Sequence, residues 1–362
     1  MRVRVKELQE GCILSADVIS LTNRPIIPNK TILTAELIEF LNAFLVKEVK
    51  VQKTLVNGMP FIPTEILEDE TESNVSDNVE TSVSLSEAFL QASKEYKKEF
   101  HSWQSGLPLE ITKVRNILLP LIEMIETSSG DLFSLHHLSN ENEYLFQHSV
   151  AVGLLSAFIG KKLNYNKGDI VQLALAGCLA DCGMAKISPN ILNKKGALTS
   201  NEFEEIKNHP TYSYKMIQGN SLLRDASKIG IFQHHERLDG SGYPLGERDQ
   251  KIHTFAKIIA VADTFHAMTS ARLYRKKQSP FKVLEMIIQD NFGKFDLTAI
   301  KALQSGIMNF SIGSKVKLSN GQTAEILFIE EKSPTRPLIK ITETQEIIHL
   351  EKKRDVFIDE IL

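Results

Sequence analysis

Apolar residues recur every three to four positions along Ile111–Ile125, Tyr144–Leu163 and Ile170–Leu179. That spacing gathers them onto one face of a helix, so the middle of the chain is expected to be a packed helical domain. Near residue 311 the period falls to two. Val316-Lys317-Leu318 leads into Asn320-Gly321, the two-residue signature of a hairpin, and Ala324-Glu325-Ile326-Leu327 returns from it. Leu338–Ile341 and Ile347–Leu350 read as two further strands. The predicted helices and strands therefore divide the chain by period before composition is considered.

Composition marks one more boundary. No Lys or Arg occurs from Thr54 to Ser93, while eight acidic residues fall between Glu65 and Glu87. Residues 64–87 are expected to be a solvated acidic linker. Ahead of it, residues 1–63 read as a small α+β module. Its expected strands lie at Gly11–Leu14, Pro25–Ile27 and Val49–Val51, and its expected helix is Ala35–Leu45, capped by Thr34. Residues 88–310 form the helical domain and 311–362 a β appendage. Within the helical part, Thr199 and Glu202 make a capping-box pattern. Pro210 should end that helix near His209 and open another, and Leu238–Lys251, rich in Gly, Asp and Pro, should be a loop.

The net charge of −3, from 42 Lys+Arg against 45 Asp+Glu, argues against a nucleic-acid binder held by counterion release, so no DNA partner is expected. The longest apolar stretch, Val150–Ile159, contains Gly and Ser, reads as a buried helix and falls short of the roughly 18–20 residues that span a bilayer, so no membrane segment is expected. The charged start, MRVRVKELQE, lacks the apolar core of a secretory signal. Three cysteines do not make a disulfide framework, and a cytoplasmic protein with reduced thiols is expected.

Of ten histidines, several stand on otherwise apolar helices together with carboxylates. The candidate metal ligands are His148, Asp181, His209, His234, His235 and Asp263. Imidazoles and carboxylates projecting from several helices towards one place suit iron, manganese or a similar divalent ion. A single buried His is more often a hydrogen-bonded core residue; six such positions shift that balance without settling it.

The loop HHERLDGSGYPLG, from His234 to Gly246, points further. With HSVAVG at His148, LADCGMAKISPNILNKKGALTSNEFEEIKNHP, and IIAVADTFHAMTSARLYRKKQSP ending at Pro280, it resembles the HD-GYP family of metal-dependent phosphohydrolases. The fold class this implies is mainly α: an all-α HD-GYP helical domain with a small N-terminal α+β module and a C-terminal β appendage. The resemblance further implies a bacterial phosphodiesterase that hydrolyses cyclic di-GMP to pGpG or GMP with one or two divalent metals, iron or manganese. His148 and Asp263 would serve one metal with Asp181, which would bridge to a second held by His209, His234 and His235. Two adjacent metals lower the pKa of a bridging water and offset phosphoryl charge. Asp181 and His209 are the expected catalytic residues. Gly242, Tyr243, Pro244, Arg272 and Arg275 are the expected substrate contacts, with arginine forks suited to phosphate oxygens. Tyr243 and Tyr274 would either pack the guanine or support the loop. Diguanylate cyclases or other signalling proteins are implied partners, and a homodimer through Ala88–Trp103 is a further option.

The chain departs from the family pattern at four positions. Ala180 and Met184 stand where the family has a ligating His and a Lys near the scissile phosphate. Tyr144 takes the place of a Glu ligand, and His266 that of an Asp. Alanine cannot ligate, and a thioether neither donates a proton nor offsets phosphate charge. Losing such a charge commonly costs on the order of 10²–10³ in rate. His266, three residues after Asp263, could supply the missing imidazole or be a neutral substitute. Cys178 and Cys182 are expected to be small core residues. Two function classes stay open: a cyclic di-GMP phosphodiesterase with an unusual metal centre, or a degenerate cyclic di-GMP-binding or protein-interaction module.

Overall fold

The structure is a computed structural model that describes residues 1–19, 25–44, 46–63, 65, 83–127, 129–194, 196–270, 277–289, 293–308, 310–330 and 332–362. Most of the expected linker and the residues Arg272, Tyr274 and Arg275 lie outside the described residues.

The first 63 residues build a small module around their own core of Val3, Val5, Leu14, Leu33, Leu41 and Val51. Strands β1 (Arg2–Arg4), β2 (Val18–Ile19), β3 (Pro25–Ile27) and β4 (Glu48–Lys50) pair antiparallel as β1 with β4 and β2 with β3. Helix α1 spans Ala35–Ala43, and Thr34 Oγ1 accepts from the Leu37 amide at its start. Its expected last residue, Leu45, lies outside the described residues. Of the expected Gly11–Leu14 strand, only isolated bridges form, Ile13 with Ile32 and Leu14 with Val51. Ile13 and Val56 belong instead to the main core, so the module is seated on the helical domain.

Helix α2 (Leu85–Gln104) opens with a full capping box between Ser84 and Glu87, so the last three residues of the expected linker are helical. The apolar face of α2, with Phe89, Tyr96, Phe100 and Trp103, is buried within the same chain. That face is the one considered for a dimer, and its apolar character is already accounted for by the fold.

The helical region continues through α3 (Ile111–Thr127), α4 (Ser129–Leu132), α5 (Tyr144–Lys162), α6 (Lys167–Leu179), α7 (Pro189–Leu192), α8 (Ser200–Ile206), α9 (His209–Ile217), α10 (Asp225–Gln233), α11 (Thr254–Thr269), α12 (Pro280–Gln289) and α13 (Leu297–Ile307). The Thr199–Glu202 capping box forms as the spacing predicts. His209 begins α9 rather than ending α8, because Pro210 occupies the first turn, where its missing N–H leaves no bond unmade. Helix α5 is buried almost all round, from Phe146 to Gly160, and is the central element of the domain.

The stretch Lys167–Lys186 is long and apolar enough by composition to cross a membrane, although charges interrupt it. Its apolar character reflects burial, since 67% of its most apolar window lies inside the fold.

The C-terminal residues form a five-stranded antiparallel sheet in the order β8-β7-β6-β5-β9. The strands are β5 (Lys315–Leu318), β6 (Thr323–Phe328), β7 (Leu338–Ile341), β8 (Ile347–His349) and β9 (Ile358–Ile361). The Asn320-Gly321 hairpin joins β5 to β6 as expected. Strand β9 was not foreseen; its sequence, IDEI, gives no extended alternation. The inward side chains Val316, Leu318, Ala324, Ile326, Ile339 and Ile341 join the main hydrophobic core.

Candidate metal centre

Five elements deliver the candidate ligands. His148 lies within α5, Asp181 just beyond α6, His209 at the first residue of α9, His234 and His235 just past α10, and Asp263 on α11. The chain after α6 can bring Asp181 against α9 because residue 183 is glycine. A Cβ there would lie 2.2 Å from the His209 carbonyl oxygen. Instead the Gly183 amide donates to Ser213 Oγ at 2.8 Å, and Ser213 Oγ donates to the Ala180 carbonyl at 2.7 Å.

Two groups of ligand atoms form, each with its atoms within 4.8 Å of one another. One contains Asp181, His209, His234 and His235; the other contains His148, Asp181 and Asp263. All six expected ligands are brought together, and Asp181 is shared. His148 Nε2 lies 2.9 Å from Asp263 Oδ1 and 3.6 Å from Asp181 Oδ2. His209 Nε2 lies 3.1 Å, and His234 Nε2 3.5 Å, from Asp181 Oδ1. His235 Nδ1 is 3.9 Å from Asp263 Oδ2.

The hydrogen accounting shows that this cluster is incomplete as protein alone. His209 Nδ1 lies 2.7 Å from the Ile206 carbonyl, and His234 Nδ1 lies 2.7 Å from the Ile231 carbonyl. A carbonyl only accepts, so each Nδ1 carries the hydrogen and each neutral ring turns a bare Nε2 inward. These two Nε2 atoms are 3.2 Å apart. Beside them, the buried Asp181 Oδ1 has no hydrogen-bond partner. Three acceptors thus converge without a donor, an arrangement that a cation relieves. The donor set, imidazole nitrogen and carboxylate oxygen, fits a divalent transition metal.

Positive charge at this place, whether carried by protons on the rings or by a cation, keeps the carboxylates ionised. Burial works to raise the Asp181 carboxyl, but proton-bearing His209 and His234, with His148 beyond them, outweigh it and hold the group well below the usual carboxylate range. Asp263 is likewise pushed up by burial but held down by His148 and His235. Burial pushes the His235 imidazole well below its ordinary value.

The GYP loop closes over one side. A Cβ at residue 242 would lie 2.4 Å from the His235 carbonyl oxygen, so only glycine permits the loop to fold back there. The Tyr243 amide donates to the His235 carbonyl at 3.2 Å, and the Tyr243 ring stacks on His235 with centroids 4.7 Å apart. Tyr243 therefore supports a ligand ring. Pro244 follows it through a cis peptide bond. Sequence reasoning did not foresee the role of Glu236. Its buried carboxylate accepts from the Leu245 amide at 2.7 Å and the Glu247 amide at 2.9 Å, which fixes the return of the loop. A carboxylate directly after the paired histidines was the available signal. Arg272 and Arg275 lie outside the described residues.

The four departures have distinct settings. Ala180 is buried and places no donor towards the cluster. Met184 packs partly buried against the main core. Tyr144 and His266 both lie behind His148, on its Nδ1 side, at 3.2 and 2.9 Å. His266 is thus not a seventh member of either ligand group. Cys178 and Cys182 are free, buried thiols in the main core and join neither group.

Residues 135–298 match the family described as HD domain. The cyclic di-GMP phosphodiesterase PA4108 of Pseudomonas aeruginosa is 32% identical over 246 residues, covering 67% of this chain and 58% of that protein. The cyclic di-GMP phosphodiesterase PdeB of Borreliella burgdorferi is 31% identical over 196 residues, covering 54% of this chain and 52% of its own length. A cyclic di-GMP phosphodiesterase of Thermotoga maritima is 32% identical over 221 residues, covering 59% and 60%. The chain therefore spans between 52% and 60% of these curated relatives. Among solved structures, the HDG"Y"P protein Bd1817 of Bdellovibrio bacteriovorus superposes with a TM-score of 0.51. It covers 84% of this chain and 98% of its own, at 15% identity, a likeness of fold alone.

Proposed function

The chain belongs to the HD domain family through residues 135–298, in the HD-GYP form of that domain, and on that premise we propose that it is a metal-dependent phosphodiesterase acting on cyclic di-GMP. One observation carries the reading: two bare imidazole nitrogens and an unpartnered carboxylate oxygen converge in the interior beside the GYP loop. His209, His234, His235 and Asp181 would hold one divalent ion, iron or manganese. His148 and Asp263 would hold a second, with Asp181 between them. Such ions activate water at neutral pH and offset charge on the phosphoryl oxygens. The chain's own residues fix the geometry. Main-chain carbonyls orient His209 and His234, Tyr243 braces His235, and Glu236 holds the loop that bounds the substrate side. The three buried free thiols accord with a cytoplasmic setting.

A second reading is favoured by a specific observation. The position near the scissile phosphate carries Met184, which packs against the core and offers no charge. A domain of this kind could bind cyclic di-GMP without cutting it. The test is a hydrolysis assay on the full chain loaded anaerobically with iron(II) or manganese(II), with products separated by chromatography. Release of pGpG or GMP by the native chain, abolished in Asp181→Ala, is the expected result. Turnover only in the Ala180→His/Met184→Lys variant would replace the enzyme reading with the binding one. Absence of both turnover and saturable cyclic di-GMP binding would refute both.

A further inference from the structure

The three best-buried ligand rings are not oriented in the same way. His209 and His234 each donate Nδ1–H to the carbonyl three residues earlier, Ile206 and Ile231. His148 sits inside α5, one turn from its start, where the carbonyls are occupied by the helix itself; that of Leu145, three residues earlier, accepts from Ser149 Oγ. Its Nδ1 faces side chains instead: His266 Nδ1 at 2.9 Å and Tyr144 Oη at 3.2 Å. His148 and His266 are both buried.

Helix α11 therefore grips the His148 ring from both ends. Asp263 lies 2.9 Å from Nε2 on the inner side, and His266 lies 2.9 Å from Nδ1 on the outer side. Beyond His266, the buried Ser270 Oγ lies 3.3 Å from both ring nitrogens of His266, Nδ1 and Nε2. The hydrogens can be placed in one continuous order. His148 donates Nδ1–H to the lone pair of His266 Nδ1, and His266 donates Nε2–H to Ser270 Oγ. His148 is then left with a bare Nε2 facing Asp181 and Asp263.

We propose that His266 is a positioning residue that replaces the missing main-chain carbonyl behind His148, keeps His148 Nε2 bare towards the metal, and thereby sets occupancy of the metal position that lost an imidazole at Ala180. The proposal rests on the two-position metal reading above. It assigns His266 a place outside the ligand shell, consistent with its absence from both ligand groups. Partners in this outer position typically govern metal affinity by 10–100-fold.

The test measures metal binding, not turnover. Manganese(II) isotherms of the full chain are compared for the native protein, His266→Phe and His266→Asp, with thermal unfolding as a check on folding. The native chain should bind two equivalents. His266→Phe should weaken one of them by about 10–100-fold and leave the other unchanged. His266→Asp, whose carboxylate can accept from His148 Nδ1–H, should recover most of that loss. Should His266→Phe fail to fold, the native protein still decides the matter: long-range proton–nitrogen spectra of the zinc(II)-loaded, histidine-labelled chain should place the His148 hydrogen on Nδ1. A hydrogen on Nε2, or a His266→Phe variant with two unchanged equivalents, overturns the inference alone. A native chain that takes up no metal overturns the metal reading, and this inference with it.

Discussion

Glu285 and Arg336 are as deeply buried as Asp181 and its imidazoles, yet the two clusters are built on opposite principles. Arg336 meets Glu285 as a fork, with Nε to Oε1 at 2.6 Å and Nη2 to Oε2 at 2.7 Å. Its Nη1 donates to the Val356 carbonyl at 2.6 Å, so the pair locks α12 to the segment leading into β9 with its polar groups engaged. At Asp181 the reverse holds: Oδ1 is buried without a hydrogen bond, and two bare nitrogens face it. Buried charge alone therefore does not mark a functional site. Acceptors that converge without a donor do, because the fold by itself leaves them unsatisfied.

The contrast can be broken most forcefully at the saturated pair. Arg336→Met alone leaves the buried Glu285 carboxylate with only Lys282 Nζ, 3.6 Å away, and should destabilise the fold by about 3 kcal/mol. Arg336→Met/Glu285→Leu should cost clearly less than the single change, since the desolvation of both charges is then removed while the Val356 carbonyl loses its donor. Urea unfolding measures both. If the single and double variants lose the same stability, the pair is not acting as a mutually compensated unit.

His136 and His137 give an intermediate case. His136 Nδ1 lies 2.7 Å from the Phe133 carbonyl, the same anchor that His209 and His234 use, and its ring is 4.0 Å from that of His137. Among the described residues neither ring forms an ion pair, and Lys277 and Lys30 stand nearby. Burial first, then those lysines, push the His137 imidazole down to about 4. An unfolded histidine takes up its proton near 6.5, above the folded value, so the unfolded chain binds more protons between the two. Stability should thus be complete above about pH 6.5 and fall by at most about 3 kcal/mol as pH drops to about 4. Unfolding curves for the native chain and His137→Gln should keep a constant offset above about pH 6.5 and shift towards the variant below it, because only the native chain loses stability as pH falls towards 4. Parallel curves would show that His137 is not held neutral by the fold.

The ligand positions were legible because each stands out locally. His148, Asp181 and Asp263 interrupt apolar helices, and the paired histidines precede a glycine-rich loop whose Gly242 is required by backbone contact at 2.4 Å. What could not be read depends on contacts across the chain. The His148–His266 contact joins residues 118 apart, and the Arg336–Glu285 pair joins residues 51 apart. Helical spacing placed His266 on the same face as Asp263 but could not say that the His148 ring, from α5, reaches between them. Glu236 follows two candidate ligands, yet its partners are amides 9 and 11 residues ahead, set by how the loop turns back. Strand β9 escaped notice because only its pairing with β5 makes IDEI extended.

The smallest expected effect separates the two clusters most cleanly. A ligand that binds only the folded chain at 100 times its dissociation constant stabilises it by about 2.7 kcal/mol. Manganese(II) at that level should raise the melting temperature of the native chain, and a chelator should reverse the rise. Asp181→Ala, which removes the shared carboxylate, should show no such increment at the same concentration. Arg336→Met should melt lower throughout but gain the same increment as the native chain, because it shares no partner with the metal cluster and separate sites add. An increment lost in Arg336→Met would mean that the β appendage and the metal cluster are energetically coupled. The division between a saturated structural pair and an unsatisfied site would then have to be abandoned.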